Sequence, residues 1–331
     1  MSDTTPSRVL LLGATGTIGR ATAEALLARG HEVVCFIRPS VKDPRRGLPA
    51  RATLRFGEVT DPRSLERDGF AGESFDVLVS CLASRSGSPD DAWAVDRRAH
   101  VDALRLAKAS GVRHMVLLSA ICVQQPLLAF QNAKLAFERQ LAESGLDYTI
   151  VRPTAFFKSL SGQVERVRQG KPFLLFGDGE RTACKPISDA DLGRFMADCV
   201  TNPDRRNRIL PIGGPGPAIT PLQQGAELFR LLGQKPRYRH VPVGMMDAII
   251  GVLALLGCLS PALRAKAELA RIGHYYATQS MLVLNPDTGL YDADATPETG
   301  TETLFDFYAG LVSQQTAVDL GDHAVFQRKT A

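Results

Sequence analysis

Along the first half of the chain, apolar residues come in short blocks, each followed by positions with helical spacing. Residues 8–12 (RVLLL) form one block that stops at Gly13, and from Thr17 the period changes, with Ile18, Ala21 and Ala25 on one face and Gly30 as a stop. This predicts strand, tight turn and helix. Further strands are predicted at 32–37 (EVVCFI), near 53–57, at 75–81 (FDVLVSC), at 114–118 (HMVLL) and at 147–151 (DYTIV), with a helical segment over 91–110. Strands alternating with helices imply an α/β fold, a doubly wound parallel sheet. After Arg152-Pro153 the regularity loosens into Gly/Pro-rich stretches, GKPFLLFGDGE and LPIGGPGPAITP, and then two apolar helical stretches around 244–272. These mark a smaller second lobe, so the expected division is 1–155 and 156–331. The last dozen residues, ending HAVFQRKTA, read as a weakly ordered tail.

Composition narrows the classes. Of 331 residues, 44% are hydrophobic and 22% charged, which is globular and long enough for two domains. Lys and Arg number 39 against 35 Asp and Glu, a net +4, and no dense basic run is interleaved with aromatics, so nucleic acid is not the expected partner. Six cysteines (Cys35, Cys81, Cys122, Cys184, Cys199, Cys258) are at least 15 residues apart and form no CxxC or Cys/His cluster. Neither a metal site nor a disulfide framework is expected, and a reducing, cytoplasmic setting fits. The start, MSDTTPSRVLLLG, lacks the features of a signal peptide and is too short before the first strand for a transit peptide. The longest apolar stretch, Met245 to Leu259 interrupted by Asp247, falls short of the ~20 residues a transmembrane span needs. Its expected fate is burial against the domain core, the alternative being a helix that rests on a membrane surface.

The turn GATGTIG carries the first chemistry. Gly13 turns sharply off the strand, Gly16 lets backbone approach a pyrophosphate, and Gly19 permits close packing of helix on sheet. Thr15, Thr17 and Ile18 complete the turn, and the phosphates would sit at the positive helix N-terminus of a Rossmann-like fold. Where an NAD site would place an acid at the end of strand two, this chain has Phe36-Ile37-Arg38 with Lys42 close behind. A cation there suits a 2′-phosphate and favours NADPH; the alternative is a solvated surface arginine. Asp61 could stand near the adenine or cap a turn. Strands four and five end at Ser80 and Leu118-Ser119, opening onto the crevice where a nicotinamide would lie. Ser119 is either a site hydroxyl or a turn serine, and Cys122, with no base beside it, is structural.

These pieces resemble the extended and atypical short-chain dehydrogenase/reductase superfamily, which has GxxGxxG at the first turn, a serine after strand five and a YxxxK pair on the next helix. Here the pair is Phe130-Gln131-Asn132-Ala133-Lys134. In the superfamily's carbonyl chemistry the phenol, with a free pKa of about 10, exchanges a proton with the substrate alkoxide. Phenylalanine has no proton to give, so a carbonyl reductase or epimerase of that mechanism is disfavoured. A segment ISDADL at 187–192 resembles the superfamily stretch that returns the chain to the nucleotide domain, so 187–212 is expected there, with Asp189 or Asp191 capping a helix.

Over nearly its whole length the chain resembles the divinyl chlorophyllide 8-vinyl reductases of chlorophyll and bacteriochlorophyll biosynthesis. FQNAKLAFE, IVRPTAFFKSLSGQVERVRQGKPFLLFGDGE, ACKPISDADL, LPIGGPGPAITPLQQGAELF and IGHYYATQSMLVLNPDTG carry the likeness. It implies NADPH-dependent reduction of the 8-vinyl group of a tetrapyrrole, divinyl chlorophyllide or protochlorophyllide, to ethyl. Charge developing on carbon conjugated with the macrocycle needs no oxyanion partner, which agrees with the missing tyrosine. A later carbon protonation could come from water or from Tyr275 or Tyr276, with strand residue Tyr148 behind them; core packing is the plainer role for the adjacent pair. Lys134 would hydrogen-bond the nicotinamide ribose, the alternative being a surface pair with Glu138 four residues on. Phe130, Phe156, Phe157 and the 245–259 helix offer apolar surface to the macrocycle, while Lys158, Arg166 or Lys185 could meet a propionate. The membrane alternative would be a photosynthetic one. Rival readings are a non-catalytic NADP-sensing regulator of the NmrA type, a reductase of another conjugated alkene such as an isoflavone-reductase-like enzyme, and a carbonyl dehydrogenase.

Overall fold

In the computed structural model, residues 6–85, 88–257 and 260–313 are described. Cys258 and the expected weakly ordered tail lie outside them. Two compact units emerge: the chain up to Pro153 together with Asp189–Pro211, and Thr154–Ser188 together with the chain from Ile212 onward.

The first unit is built on strands β1 (Arg8–Leu12), β2 (Glu32–Ile37), β3 (Thr53–Phe56), β4 (Val77–Ser80), β5 (His114–Leu118) and β6 (Asp147–Pro153). Their order is β3-β2-β1-β4-β5-β6, all paired in parallel, and a seventh strand, β8 (Arg208–Ile212), follows β6. Such strands are covered on both faces and read as continuous apolar runs; Val9 to Leu12 are fully buried. The winding reverses between β1 and β4, which places a crevice at their carboxyl ends. Leu12 lies opposite Phe36 on one side and Ser80 on the other, so Gly13, Ile37 and Cys81 follow at one level.

Helix α1 (Thr17–Ala28) follows β1. A helical run, α2, spans Pro89–Ala92, Trp93–Ala99 and His100–Ala109; its middle segment is π-helical. Helix α3 (Ala129–Ala142) precedes β6, and α4 (Asp189–Thr201) packs on α1, where a Cβ on Gly193 would come within 2.6 Å of the Ala21 backbone. That contact needs glycine. The core between sheet and helices gathers Leu10, Phe36, Leu78, Met115, Phe137 and Ile150.

The second unit has a two-stranded parallel sheet, β7 (Phe173–Phe176) with β9 (Tyr238–Val241), and a short hairpin of β10 (Val283–Leu284) and β11 (Tyr291–Asp292). In sequence, flanking glycines and a proline make FLLF look like punctuation; it is the four-residue strand β7. Helices α5 (Pro221–Leu231), with a Thr220/Gln223 capping box, and α8 (Leu304–Val312) close a core of Phe157, Phe173, Leu228, Phe229 and Tyr308.

The apolar stretch corrects an expectation. It forms α6 (Val243–Leu256), packed beside α7 (Pro261–Thr278), but none of its residues is buried. Met245, Ile249, Val252 and Leu255 recur at helical spacing on an exposed stripe, Leu255 with 75% of its surface open. The physical reason is that α7 covers one side alone: Met246 approaches Gly273, and Asp247 pairs with His274 at 3.0 Å. No described helix is long and apolar enough to cross a membrane.

Candidate functional site

The glycine turn separates two kinds of need. Gly13 has φ +77°, and a Cβ there would lie 2.6 Å from the Cys81 carbonyl group; at Gly19 it would lie 2.1 Å from the Gly13 oxygen. The chain itself demands both glycines. Gly16 differs: its backbone is extended (φ −71°, ψ 163°), and a Cβ would meet only the Gly13 oxygen at 3.4 Å, an ordinary contact. The protein does not need glycine at 16, yet it caps α1 with no side chain and leaves space before the helix N-terminus, where no acidic residue competes for the positive end. This cradle fits a dinucleotide pyrophosphate, with Thr15, Thr17 and Ile18 around it.

Just past the end of β2, Arg38 is half-buried, its guanidinium makes no hydrogen bond or ion pair with the described residues, and it precedes exposed Lys42. Sequence reasoning misses Arg20, on the first turn of α1. Its side chain passes within reach of Gly47, in the loop after β2, and its Nε is buried with no hydrogen-bond partner among the described residues. An orphaned cationic nitrogen beside the cradle is a further donor for a phosphate; only its place just after the third glycine could have signalled it. Asp61 is exposed and caps the short helix Pro62–Ser64 through the Arg63 N–H at 3.0 Å, the capping role among the two foreseen.

At the ends of β4 and β5 the serines are committed inward. Ser80 is fully buried, 2.8 Å from His100 Nε2, and His100 Nδ1–H donates to the Val95 carbonyl at 2.9 Å, so the Ser80 hydroxyl donates to the ring. Burial, with Lys134 nearby, pushes His100 down to about 4, and the ring is neutral. Ser119, also buried, donates its hydroxyl to Glu138, which additionally receives the Arg152 guanidinium.

Lys134 is not the helix-surface lysine of the alternative reading. Only 10% of its side chain is exposed, and its Nζ lies 3.0 Å from Asp96, a carboxylate with no exposure; Glu138 is taken by Ser119 and Arg152. Phe130 is half-buried at the second position of α3, one turn before Lys134. Burial pushes the thiols of Cys35, Cys81 and Cys184 up to about 12, so none is a thiolate nucleophile near neutrality.

In the second unit, Phe156 is half-buried, whereas Phe157 belongs to the core, its ring 5.4 Å from Phe307. Lys185 is corrected as a carboxylate receptor: it is buried and pairs with Glu298 at 2.6 Å. Arg166 donates to the Pro172 carbonyl at 2.9 Å, and Lys158 is half-buried on the helix Phe157–Leu160. Tyr275 is buried and Tyr276 is 46% exposed, their rings edge-on at 5.7 Å.

Comparison with known proteins bears on this arrangement. Residues 13–203 match a family described as NAD(P)H-binding. The chain is 48% identical to the chloroplastic divinyl chlorophyllide a 8-vinyl-reductase of Oryza sativa subsp. indica, over 98% of this chain and 83% of the relative, and 48% identical to that of Cucumis sativus, over 97% and 80%. Among solved structures, the binary complex of leucoanthocyanidin reductase with NADPH from Vitis vinifera superposes with a TM-score of 0.68 at 15% identity, covering 92% of this chain and 99% of that one.

Proposed function

Because the chain belongs to the divinyl chlorophyllide a 8-vinyl-reductase family, we propose that it reduces the 8-vinyl group of divinyl chlorophyllide or protochlorophyllide to ethyl with NADPH. The observation that carries the reading is the state of the proton-donating groups. Phe130 has no hydroxyl, and the Ser119 hydroxyl is already given to Glu138 inside the protein. A substrate oxyanion would therefore find no partner from either position, whereas hydride addition to the outer vinyl carbon leaves charge that the macrocycle spreads.

When bound, NADPH supplies the hydride. The protein's part is binding and orientation: Gly13, Gly16 and Gly19 shape the pyrophosphate cradle, Arg38 with Arg20 meets the 2′-phosphate, and Lys134 holds the ribose hydroxyls. The proton that completes the ethyl group comes from water or from Tyr276, the accessible member of its pair. In the second unit, Phe156 offers apolar surface to the macrocycle and Lys158 a cation to its propionate.

The reading extends to peripheral contact with a lipid surface through α6. Its unburied apolar stripe, exposed Arg264 and Lys266 near its carboxyl end, and a lipophilic pigment as substrate all support that contact.

The deciding assay mixes purified protein, NADPH and divinyl chlorophyllide. The Soret band should shift as one vinyl group leaves conjugation, with one NADPH consumed per pigment. An unchanged spectrum with NADPH bound but intact would overturn the reading in favour of a sensor.

A further inference from the structure

We propose that Asp96 is a positioning residue, which holds Lys134 against the cofactor and locks the loop after β4 to the same point. Asp96 sits in the π-helical turn Trp93–Ala99 of α2, with 1% of the residue exposed. Its Oδ1 receives the Lys134 ammonium at 3.0 Å, and its two oxygens lie 3.3 and 3.4 Å from the Ser84 N–H in the loop that leaves β4. The π turn is itself pinned: His100 donates to Val95, receives the Ser80 hydroxyl and packs on the Phe137 ring at 4.8 Å. A single extra residue in the turn rotates the first part of the helix by about 100° relative to the second, and π turns often serve sites in this way. One buried carboxylate thus joins the end of β4, α2 and α3.

The charge makes this more than packing. A long lysine side chain has many rotamers; an acid fixed behind it selects one, in a place from which water is largely removed. Asp96 has no access to substrate or cofactor, so it acts through Lys134. This rests on the ribose-holding role proposed for Lys134.

The test is a double-variant cycle on the full chain, with NADPH affinity read by fluorescence titration and folding by thermal unfolding without cofactor. Asp96→Asn and Lys134→Met should each weaken NADPH binding roughly 10- to 100-fold. Asp96→Asn should raise the KM for NADPH and leave that for pigment unchanged. The double variant should bind no more weakly than Lys134→Met alone, because the acid has nothing left to position. Losses that multiply in the double variant would overturn the proposal, as would wild-type affinity in Asp96→Asn. Should Asp96→Asn fail to fold, Asp96→Glu replaces it in the cycle, where multiplying losses or wild-type affinity overturn the proposal in the same way. Wild-type affinity in Lys134→Met would remove the proposal together with the lysine's role, while the Soret assay reports separately whether vinyl reduction stands.

Discussion

Replacing each glycine of the first turn by alanine should split their roles. At Gly16 two small terms oppose each other. Alanine is a poorer N-cap than glycine by roughly 0.5–1 kcal/mol, and it gains about 0.4–1 kcal/mol by restricting the unfolded chain. With its Cβ meeting nothing closer than 3.4 Å, Gly16→Ala should leave apo stability within about 0.5 kcal/mol of wild type. Gly19→Ala must push α1 off Gly13 from a 2.1 Å approach, and Gly13→Ala adds a left-handed backbone to a 2.6 Å approach at Cys81. Each should cost about 3 kcal/mol or more. NADPH binding reverses the ranking of Gly16. Its added methyl occupies the pyrophosphate position, and losing two charge-assisted hydrogen bonds at roughly 1.5 kcal/mol each weakens binding about 100-fold. Thermal unfolding without cofactor and NADPH titration by fluorescence read the two quantities. Wild-type NADPH affinity in Gly16→Ala, or melting as early as that of Gly19→Ala, would refute this division of roles.

Phe130→Tyr should gain no carbonyl reductase activity, because the Ser119 hydroxyl stays with Glu138; turnover on a panel of ketones and aldehydes would contradict this. Stability should fall on acidification: burial holds His100 and His114 near 4 against 6.5 unfolded, so between those values the unfolded chain takes up protons that the folded one cannot. The loss is roughly 2 kcal/mol per histidine by pH 5, and equal denaturant midpoints at pH 7 and pH 5 would refute it. Vesicles containing an anionic lipid should carry the protein upward in flotation, and Ile249→Asn with Val252→Asn should abolish this. Persistent flotation of that variant refutes the α6 contact, and a concentration-dependent dimer lost in the same variant assigns the stripe to a second copy.

The central sheet was legible because buried parallel strands leave continuous apolar blocks such as VLLL and HMVLL, and because Gly13 and Gly30 mark the ends of the elements between them. The nucleotide cradle was legible for the same reason, its glycines being spaced by backbone geometry. Partnership was not. Sequence spacing suggested Lys134 with Glu138, one helical turn apart, whereas the lysine pairs across 38 positions with Asp96, and the glutamate with Arg152 on β6 and Ser119 just past β5. Side-chain direction inside an α/β layer depends on which helix packs above which strand, and a π turn shifts it again; neither leaves a local pattern. Apolar composition also misdirected: α6 looks like a core helix, but burial is decided by what is packed around it.

The cluster of Ser119, Glu138 and Arg152 bears on how such a chain could change. A gain of carbonyl chemistry would need a phenol at 130, a serine freed from its carboxylate, and a neutral or re-paired position 152. Taken singly, the second step leaves the half-buried Arg152 guanidinium without its carboxylate, at a cost of about 1–3 kcal/mol, a sizeable share of a typical domain's stability. The arrangement therefore works as a ratchet: no one of the three changes gives a hydroxyl its use, and all three are needed together.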